Sequence, residues 1–179
     1  IVMNKTFIKK RPIVDKMEGL SGKAKENAQM GEVTVDDATI FIAEFKNGAL
    51  GSIEATRFAN GHKNGMSFEI NGSKGSIRFE FERMNELQYF SIDDEAGTQG
   101  FRLIQATEDI HPYMEAWWPA GHVIGYEHTF VHEMYEFIEA VANDKDTSPD
   151  FYDGVKCQQV LEAVDLSIER GKWVEVDSL

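Results

Sequence analysis

The sequence predicts an α+β fold, an open and mostly antiparallel β-sheet with helices packed on one face. Short runs of β-branched and aromatic residues follow one another through the first two thirds of the chain, separated by tight turns. This arrangement favours an antiparallel meander over alternating β–α–β units. The last third has apolar residues at the spacing of amphipathic helices. Because 179 residues is the length of one ordinary domain, we expect residues 1–179 to form a single domain.

The strand predictions rest mainly on turn chemistry. The pair Asn47-Gly48 separates two β-like runs, and Asn-Gly is a strong hairpin signal because both residues tolerate positive φ. The polar segment 18–32 is expected to be an exposed loop, with a short helix over 24–30 as the alternative. A turn is expected over 71–75. The expected strands are 2–8, 38–45, 49–56, 67–70, 76–81, 87–92, 101–106 and 172–176.

Two amphipathic helices are expected, over 129–143 and 152–170. In each helix one apolar stripe should face the core, and Gly171 should end the second helix. Cys157 lies on the second stripe, so we expect a buried and unreactive thiol. The two stripes consist of Phe130, Met134, Phe137, Ile138 and Val141, and of Cys157, Val160, Leu161, Val164 and Ile168.

The charge balance excludes several classes of partner. The chain has 18 Lys and Arg against 31 Asp and Glu, a net charge of −13, whereas nucleic-acid and anionic-lipid surfaces need clustered positive charge. We therefore expect no nucleic-acid partner and no membrane partner. Cys157 is the one cysteine, so an internal disulfide is impossible and a reducing, cytoplasmic location is the simplest interpretation.

The residues most suggestive of chemistry have simpler structural interpretations. No G-x-G-x-x-G fingerprint occurs, and the glycines of segment 72–75 lie between two predicted strands, as in a hairpin. His128 and His132 are four apart on a helix, but Thr129 stands where a zincin helix has Glu, and a solvated polar face is favoured. The Asp36-Asp37 pair is more typical of a turn or a solvated strand edge than of an acid/base pair. We assign no catalytic residue and no metal ligand.

Two loops are the strongest candidates for ligand contact. Residues 57–62 combine hydrogen-bonding side chains with an aromatic residue after a strand end, and residues 111–122 contain the pair Trp117-Trp118. Adjacent Trp residues in a loop are costly to leave in water, so they cover either the sheet or a ligand. Aromatic faces beside a few polar groups suit a polyhydroxylated substrate. The sequence leaves both interpretations of the Trp pair open.

Several short segments, taken in order, carry a family resemblance over about 36–176. They resemble the C-terminal domain of the Gfo/Idh/MocA oxidoreductases, the glucose-fructose oxidoreductase and inositol dehydrogenase family. The first pieces match a strand pair and the hairpin that follows it there. The later pieces match the entry to one helix and the two ends of the last helix. The segments are D-A-T at 37–39, G-A-L-G-S-I at 48–53, F-E-I-N-G-S-K-G-S-I at 68–77, W-P-A-G-H at 118–122, P-D-F-Y-D-G at 149–154 and G-K-W-V at 171–174.

The resemblance implies a two-domain parent enzyme. In the family an N-terminal Rossmann domain binds NAD or NADP, an E-K-P stretch supplies a lysine, and a D-x-x-x-H helix supplies the catalytic pair. None of these motifs occurs in this sequence, which begins with Ile1. We therefore expect a C-terminal fragment without the Rossmann domain, binding no cofactor and inactive by itself.

The resemblance also implies a function for the parent and a role for this domain. The parent would be an NAD(P)-dependent oxidoreductase acting on a sugar, inositol or related polyol. This domain would contribute substrate contacts and a sheet face for homo-oligomerisation. An NAD-using glycosidase or isomerase of the same family, or a stand-alone β-sheet assembly module, remains as an alternative. The expected substrate contacts, with polar groups orienting hydroxyls and Trp118 covering a ring face, are Arg57, Asn60, His62, Trp118 and His122.

Overall fold

The α+β class is confirmed by the structure, which has antiparallel sheets and two long helices. The computed structural model describes residues 2–14, 17–18 and 21–178. The helices are α1 (Tyr126–Asn143) and α2 (Phe151–Arg170). No helix in the described part of the chain is long and apolar enough to cross a membrane. The strands are β1 (Val2–Lys5), β2 (Lys10–Pro12), β3 (Met17–Glu18), β4 (Ser21–Gly22), β5 (Met30–Glu32), β6 (Ala38–Glu44), β7 (Leu50–Thr56), β8 (Ser67–Gly72), β9 (Gly75–Glu80), β10 (Glu86–Ser91) and β11 (Arg102–Gln105).

The chain divides into two compact units. The terminal unit is made of residues 1–60 and 149–179, and its described part contains α2 and a three-stranded antiparallel sheet in the order β1-β6-β7. Two-stranded ladders join β2 to β5 and β3 to β4. The hairpin expected at Asn47-Gly48 is confirmed: Gly48 has φ +84°, and the Phe45 amide donates to the Ala49 carbonyl at 2.8 Å.

The central unit is made of residues 61–148. Its four-stranded sheet has the order β11-β10-β9-β8, and every pairing is antiparallel. The expected hairpin is confirmed, with Gly72 opposite Gly75 and a two-residue turn between them. Because β9 follows this turn directly, the glycines do not introduce a helix N-terminus of the kind that binds phosphate.

Neither apolar stripe is buried as predicted: α1 turns a different face inward, and on α2 only Val164 and Ile168 of the stripe are half-buried. The α1 stripe is exposed, with Phe137 at 55% and Val141 at 68% of full exposure. On α2 the buried residues are Ala163 and Ser167, and Cys157 is exposed, so the expectation of a buried thiol is wrong. Small side chains face inward on α2, and the Ser167 hydroxyl donates to the Lys172 carbonyl at 2.7 Å.

The helix considered as the alternative over 24–30 is not formed; Met30 instead begins β5, which pairs with β2. The prediction of a strand over 172–176 is wrong. Residues 172–176 form no strand, because the Lys172 carbonyl is bound by α2 and the segment then turns into a short 3-10 helix, Val176–Ser178. Residues 15–16, just before the expected 18–32 loop, and residues 19–20 within it lie outside the described residues.

Candidate functional site

The loop between β11 and α1 is fastened to α1 through two histidines. Tyr113 has a left-handed backbone with φ +68° and precedes a short 3-10 turn, Met114–Ala116. The Trp117 indole then donates from Nε1 to Nε2 of His132 at 2.8 Å. The Trp117 ring also meets His128 edge-on, with centroids 4.4 Å apart. Trp117 therefore covers the histidine face of α1.

The Tyr113 side chain adds a second layer to this contact. Its ring stacks on His132 with centroids 4.3 Å apart and an interplanar angle of 15°, and its hydroxyl donates to Glu136 Oε1 at 2.8 Å. That hydrogen bond raises the pKa of Tyr113. Burial, together with the nearby His128, lowers the pKa of His132. The prediction of a solvated histidine face is wrong, because the aromatic side chains of the loop cover it.

The rest of the loop presents Trp118 and His122 to solvent. Trp118 is 59% exposed, and the His122 Nδ1–H donates to the Pro119 carbonyl at 2.7 Å. The amide of Asn85 fixes the end of the loop by exchanging two hydrogen bonds with the backbone of Ile124, at 2.8 and 3.1 Å. Of the two open interpretations of the Trp pair, Trp117 follows the one in which it covers protein. The Trp118 ring is exposed, and its contact with a ligand stays a prediction.

His62 takes part in a second polar cluster of the central unit. Its Nδ1 lies 2.8 Å from Glu82 Oε2, and Glu82 Oε1 accepts from the Lys63 and Asn64 amides at 2.5 and 3.0 Å. The His62 hydrogen bond, followed by the two amides, lowers the pKa of Glu82 to about 2. The same bond raises the pKa of His62. Glu82 thereby anchors the loop that carries His62.

The His62 cluster also has the composition of a metal site, which the sequence analysis did not consider. Ligand atoms of His62, Glu80 and Glu82 lie within 4.8 Å of one another. The oxygens of Glu82 are already hydrogen-bonded to His62 and to the two loop amides. These contacts account for the cluster as a loop anchor. The signal that sequence reasoning missed is the pairing of a loop histidine with acidic residues at the end of the neighbouring strand.

Arg57 and Asn60 lie in the terminal unit, and Arg57 lies beside a buried carboxylate, that of Asp37. Asp37 is 3% exposed; its Oδ2 accepts from the Phe7 and Ile8 amides, and its Oδ1 accepts from Arg11 at 2.7 Å. The Ile8 amide is the largest cause of the lowered pKa of Asp37. The prediction of a solvated edge is therefore wrong for Asp37, which ties β1, β2 and β6 together.

The Arg57 backbone follows β7 directly, and its amide donates to the Asp37 carbonyl at 2.9 Å. The Asn60 amide donates to the Phe58 carbonyl at 3.0 Å, and the side chains of Arg57 and Asn60 are exposed. The five expected contact residues thus fall into two groups, Arg57 and Asn60 in the terminal unit and His62, Trp118 and His122 in the central unit. Their convergence on one substrate stays a prediction.

Comparison with known proteins identifies the class to which this fold belongs. The family described as the oxidoreductase family, C-terminal alpha/beta domain (Gfo/Idh/MocA), matches residues 13–176. The chain belongs to this family. The expected resemblance is confirmed.

Relatives of known structure or activity agree with this assignment. Levoglucosan dehydrogenase from Pseudarthrobacter phenanthrenivorans is 38% identical over 176 residues, covering 97% of this chain and 45% of the relative. An oxidoreductase domain protein from Kribbella flavida is 47% identical, with a TM-score of 0.87 over 98% of this chain and 44% of that protein. A levoglucosan dehydrogenase in complex with NADH and levoglucosan is 41% identical, with a TM-score of 0.77 over 80% of this chain and 39% of that protein. The chain therefore spans less than half the length of these relatives.

Proposed function

We propose that this chain is the substrate-side domain of an NAD(H)-dependent dehydrogenase that oxidises a sugar or a related cyclic polyol. The observation that carries the proposal is the match of 97% of the chain, at 38% identity, to a levoglucosan dehydrogenase. A solved structure of a levoglucosan dehydrogenase that resembles this chain contains both NADH and levoglucosan. The proposed substrate class is therefore a cyclic, polyhydroxylated sugar such as an anhydrosugar, with inositols as a neighbouring possibility.

The loop geometry of the central unit supports this substrate class. Trp118 offers an exposed aromatic face, which can cover the apolar C–H face of a sugar ring. His122 donates from Nδ1 to the Pro119 carbonyl, so in its neutral form Nε2 remains as an acceptor for a sugar hydroxyl. Arg57, Asn60 and His62 are proposed as further hydroxyl-orienting groups. Their side chains are exposed and rich in hydrogen-bond donors.

We assign the cofactor chemistry to a part of the parent enzyme outside this chain. NAD, when bound, accepts a hydride from a carbinol carbon of the substrate. The 72–75 turn does not fit a dinucleotide pyrophosphate, because it joins two antiparallel strands and leads into no helix. We assign NAD binding and the catalytic acid/base pair to the part of the parent enzyme that lies outside this chain. In the relatives, this is the portion that the chain does not match. The residues of this chain bind and orient the sugar.

Exposed apolar side chains support a larger assembly. Ile40 and Ile42 alternate along β6 at 49% and 46% exposure, and Leu50 at the start of β7 is 81% exposed. Exposed apolar side chains gathered on one sheet favour contact with another protein surface. We propose that this sheet face forms the interface of a homo-oligomer, as the family resemblance implies.

The test is an activity measurement on the complete polypeptide that contains this chain. NADH or NADPH formation is followed with levoglucosan, myo-inositol and common monosaccharides as substrates. We expect NAD-dependent oxidation of a cyclic sugar, with the isolated chain inactive under the same conditions. Cleavage or isomerisation of the sugar without net NADH formation would refute the dehydrogenase assignment. Failure of the complete polypeptide to bind NAD would refute the oxidoreductase assignment as a whole.

A further inference from the structure

Three of the five histidines accept hydrogen bonds in the segment from Glu108 to His132. His111 Nδ1 accepts from the Glu108 amide at 3.0 Å, and His128 Nδ1 accepts from the Gly125 amide at 3.1 Å. His132 Nε2 accepts from the Trp117 indole at 2.8 Å. Backbone amides and indole N–H groups can only donate, so each of these ring nitrogens must be unprotonated. The observed loop geometry therefore requires three neutral imidazoles.

These bonds are located at the points that fix the loop. His111 closes the turn that enters it, the Trp117–His132 bond fastens its middle to α1, and His128 binds the last residue before α1 begins. Trp118 and His122 lie between the middle and last of these attachment points. The histidine contacts on either side therefore help to set the position of these two side chains, together with the Asn85–Ile124 pair at the end of the loop.

We propose that His111, Trp117, His128 and His132 are positioning residues, a latch that holds the 107–125 loop in its ligand-ready shape while its imidazoles are neutral. The part of the inference that concerns substrate rests on the proposed function, because Trp118 and His122 are the residues being positioned. None of the four latch residues is proposed to touch the sugar. Each acts through the loop backbone.

The charged and titratable neighbours define what protonation would do. His132 faces Tyr113 and Trp117 from the loop and His128 from its own helix; a proton on His132 would be repelled by one on His128. Glu136 is bound to the Tyr113 hydroxyl. An exposed carboxylate, Glu127, lies 3.6 Å from His128 Nδ1, the same ring nitrogen that accepts from the Gly125 amide.

The sign of the pH effect follows from His132. Burial lowers its pKa below the ordinary value of 6.5, so the neutral form is the one that the folded loop stabilises. A group with a lowered folded-state pKa of this kind contributes stability above its ordinary pKa and loses it as the pH falls through the folded-state value. The latch is therefore closed at neutral and alkaline pH and opens in acid.

The first test follows the loop directly, with no substrate present. Amide and indole hydrogen exchange of the complete polypeptide is measured at about pH 4 and about pH 8, after correction for intrinsic exchange rates; the acid point lies well below the ordinary imidazole pKa because the pKa of His132 is lowered. We expect protection of the Trp117 indole and of residues 107–125 to fall in acid, while α2 keeps its protection. Equal corrected protection of the Trp117 indole at both pH values would overturn the latch. This measurement needs no variant, so it holds even where a substitution prevents folding.

Variants separate the latch from general stability. Trp117→Phe removes the indole donor, and we expect exchange in 107–125 to accelerate about 2- to 12-fold, the range for one hydrogen bond. Trp173→Phe is the matched control, since Trp173 lies in the terminal unit. His132→Gln keeps an uncharged acceptor, so protection of the Trp117 indole should persist into acid. Unchanged exchange in Trp117→Phe would overturn the proposal.

The second test asks whether the latch positions the substrate groups. In the complete enzyme, Trp117→Phe and acid pH should raise KM for the sugar, while the Kd for NADH and the oligomeric state stay unchanged. His132→Gln should reduce the pH dependence of KM. If the loop loosens in the exchange experiment but KM does not change, the positioning role is overturned. If the enzyme oxidises no sugar, the proposed function fails while the exchange result stands by itself.

Discussion

Gly75 is the position where a single methyl group should do most damage to the central unit. A Cβ built on Gly75 would lie 2.3 Å from the Phe90 carbonyl oxygen on the neighbouring strand β10, whereas non-bonded carbon and oxygen atoms need about 3.5 Å. Strand β9 or β10 would have to move by about 1 Å. This movement would disturb the ladder at the Gly75–Ser91 and Ser76–Phe90 pairs.

The cost of Gly75→Ala can be estimated from this geometry. Overpacking of this kind costs about 1–3 kcal/mol, and each ladder hydrogen bond that is lost adds about 1 kcal/mol, so we expect about 3 kcal/mol. At this chain length that lowers Tm by about 6–12 °C. Thermal unfolding followed by circular dichroism measures the shift.

Gly72→Ala is the matched control on the other side of the same turn. A Cβ there would meet only the Gly75 carbonyl oxygen, at an ordinary 3.6 Å, so the free energy of unfolding should change by less than about 1 kcal/mol. Equal Tm values for the two variants would refute the close-approach argument. A loss of nucleotide binding in Gly75→Ala at unchanged stability would instead support a phosphate loop and contradict the hairpin assignment.

Two further predictions concern the core and the His62 loop. Met114 is 3% exposed and Met134 is 53% exposed, so Met114→Ala should cost about 2–5 kcal/mol of unfolding free energy, and Met134→Ala should change the denaturant midpoint little. Glu82→Gln should return the raised pKa of His62 toward 6.5, as measured by NMR titration. In the unaltered protein the Glu82 contribution to stability is present above pH 4.5 and lost toward about pH 2, whereas that of His62 is present below pH 6.5 and lost as the pH rises through its raised pKa. A His62 pKa that does not change in Glu82→Gln would contradict the loop-anchor assignment.

The hairpins could be predicted because their determinants are local. Asn47-Gly48 and the 72–75 turn fix the backbone by themselves, and the observed ladders follow from them. The end of α2 at Gly171, with φ +61°, was predictable for the same reason. In each case a few adjacent residues determine the conformation, whatever packs against it.

The inward faces of the helices could not be predicted, because distant residues determine them. Periodicity places Phe130 and Met134 toward the core, yet α1 turns His128 and His132 inward because Trp117 and Tyr113 offer an indole donor and a stacking ring. The same dependence on distant partners hid the role of Asp37, whose carboxylate is bound by amides about 30 residues away in sequence. Such contacts leave no periodic signal in the sequence.

The most direct test of the central claim is the steady-state kinetics of Trp118→Ala in the complete enzyme. Trp173→Ala is the matched control, because Trp173 is 55% exposed against 59% for Trp118. If this chain is the substrate-side domain, Trp118→Ala raises KM for the sugar, with the Kd for NADH and the oligomeric state unchanged, and Trp173→Ala changes none of the three. An unchanged KM in Trp118→Ala, or a loss of NADH binding as large as the loss of sugar affinity, would contradict the account.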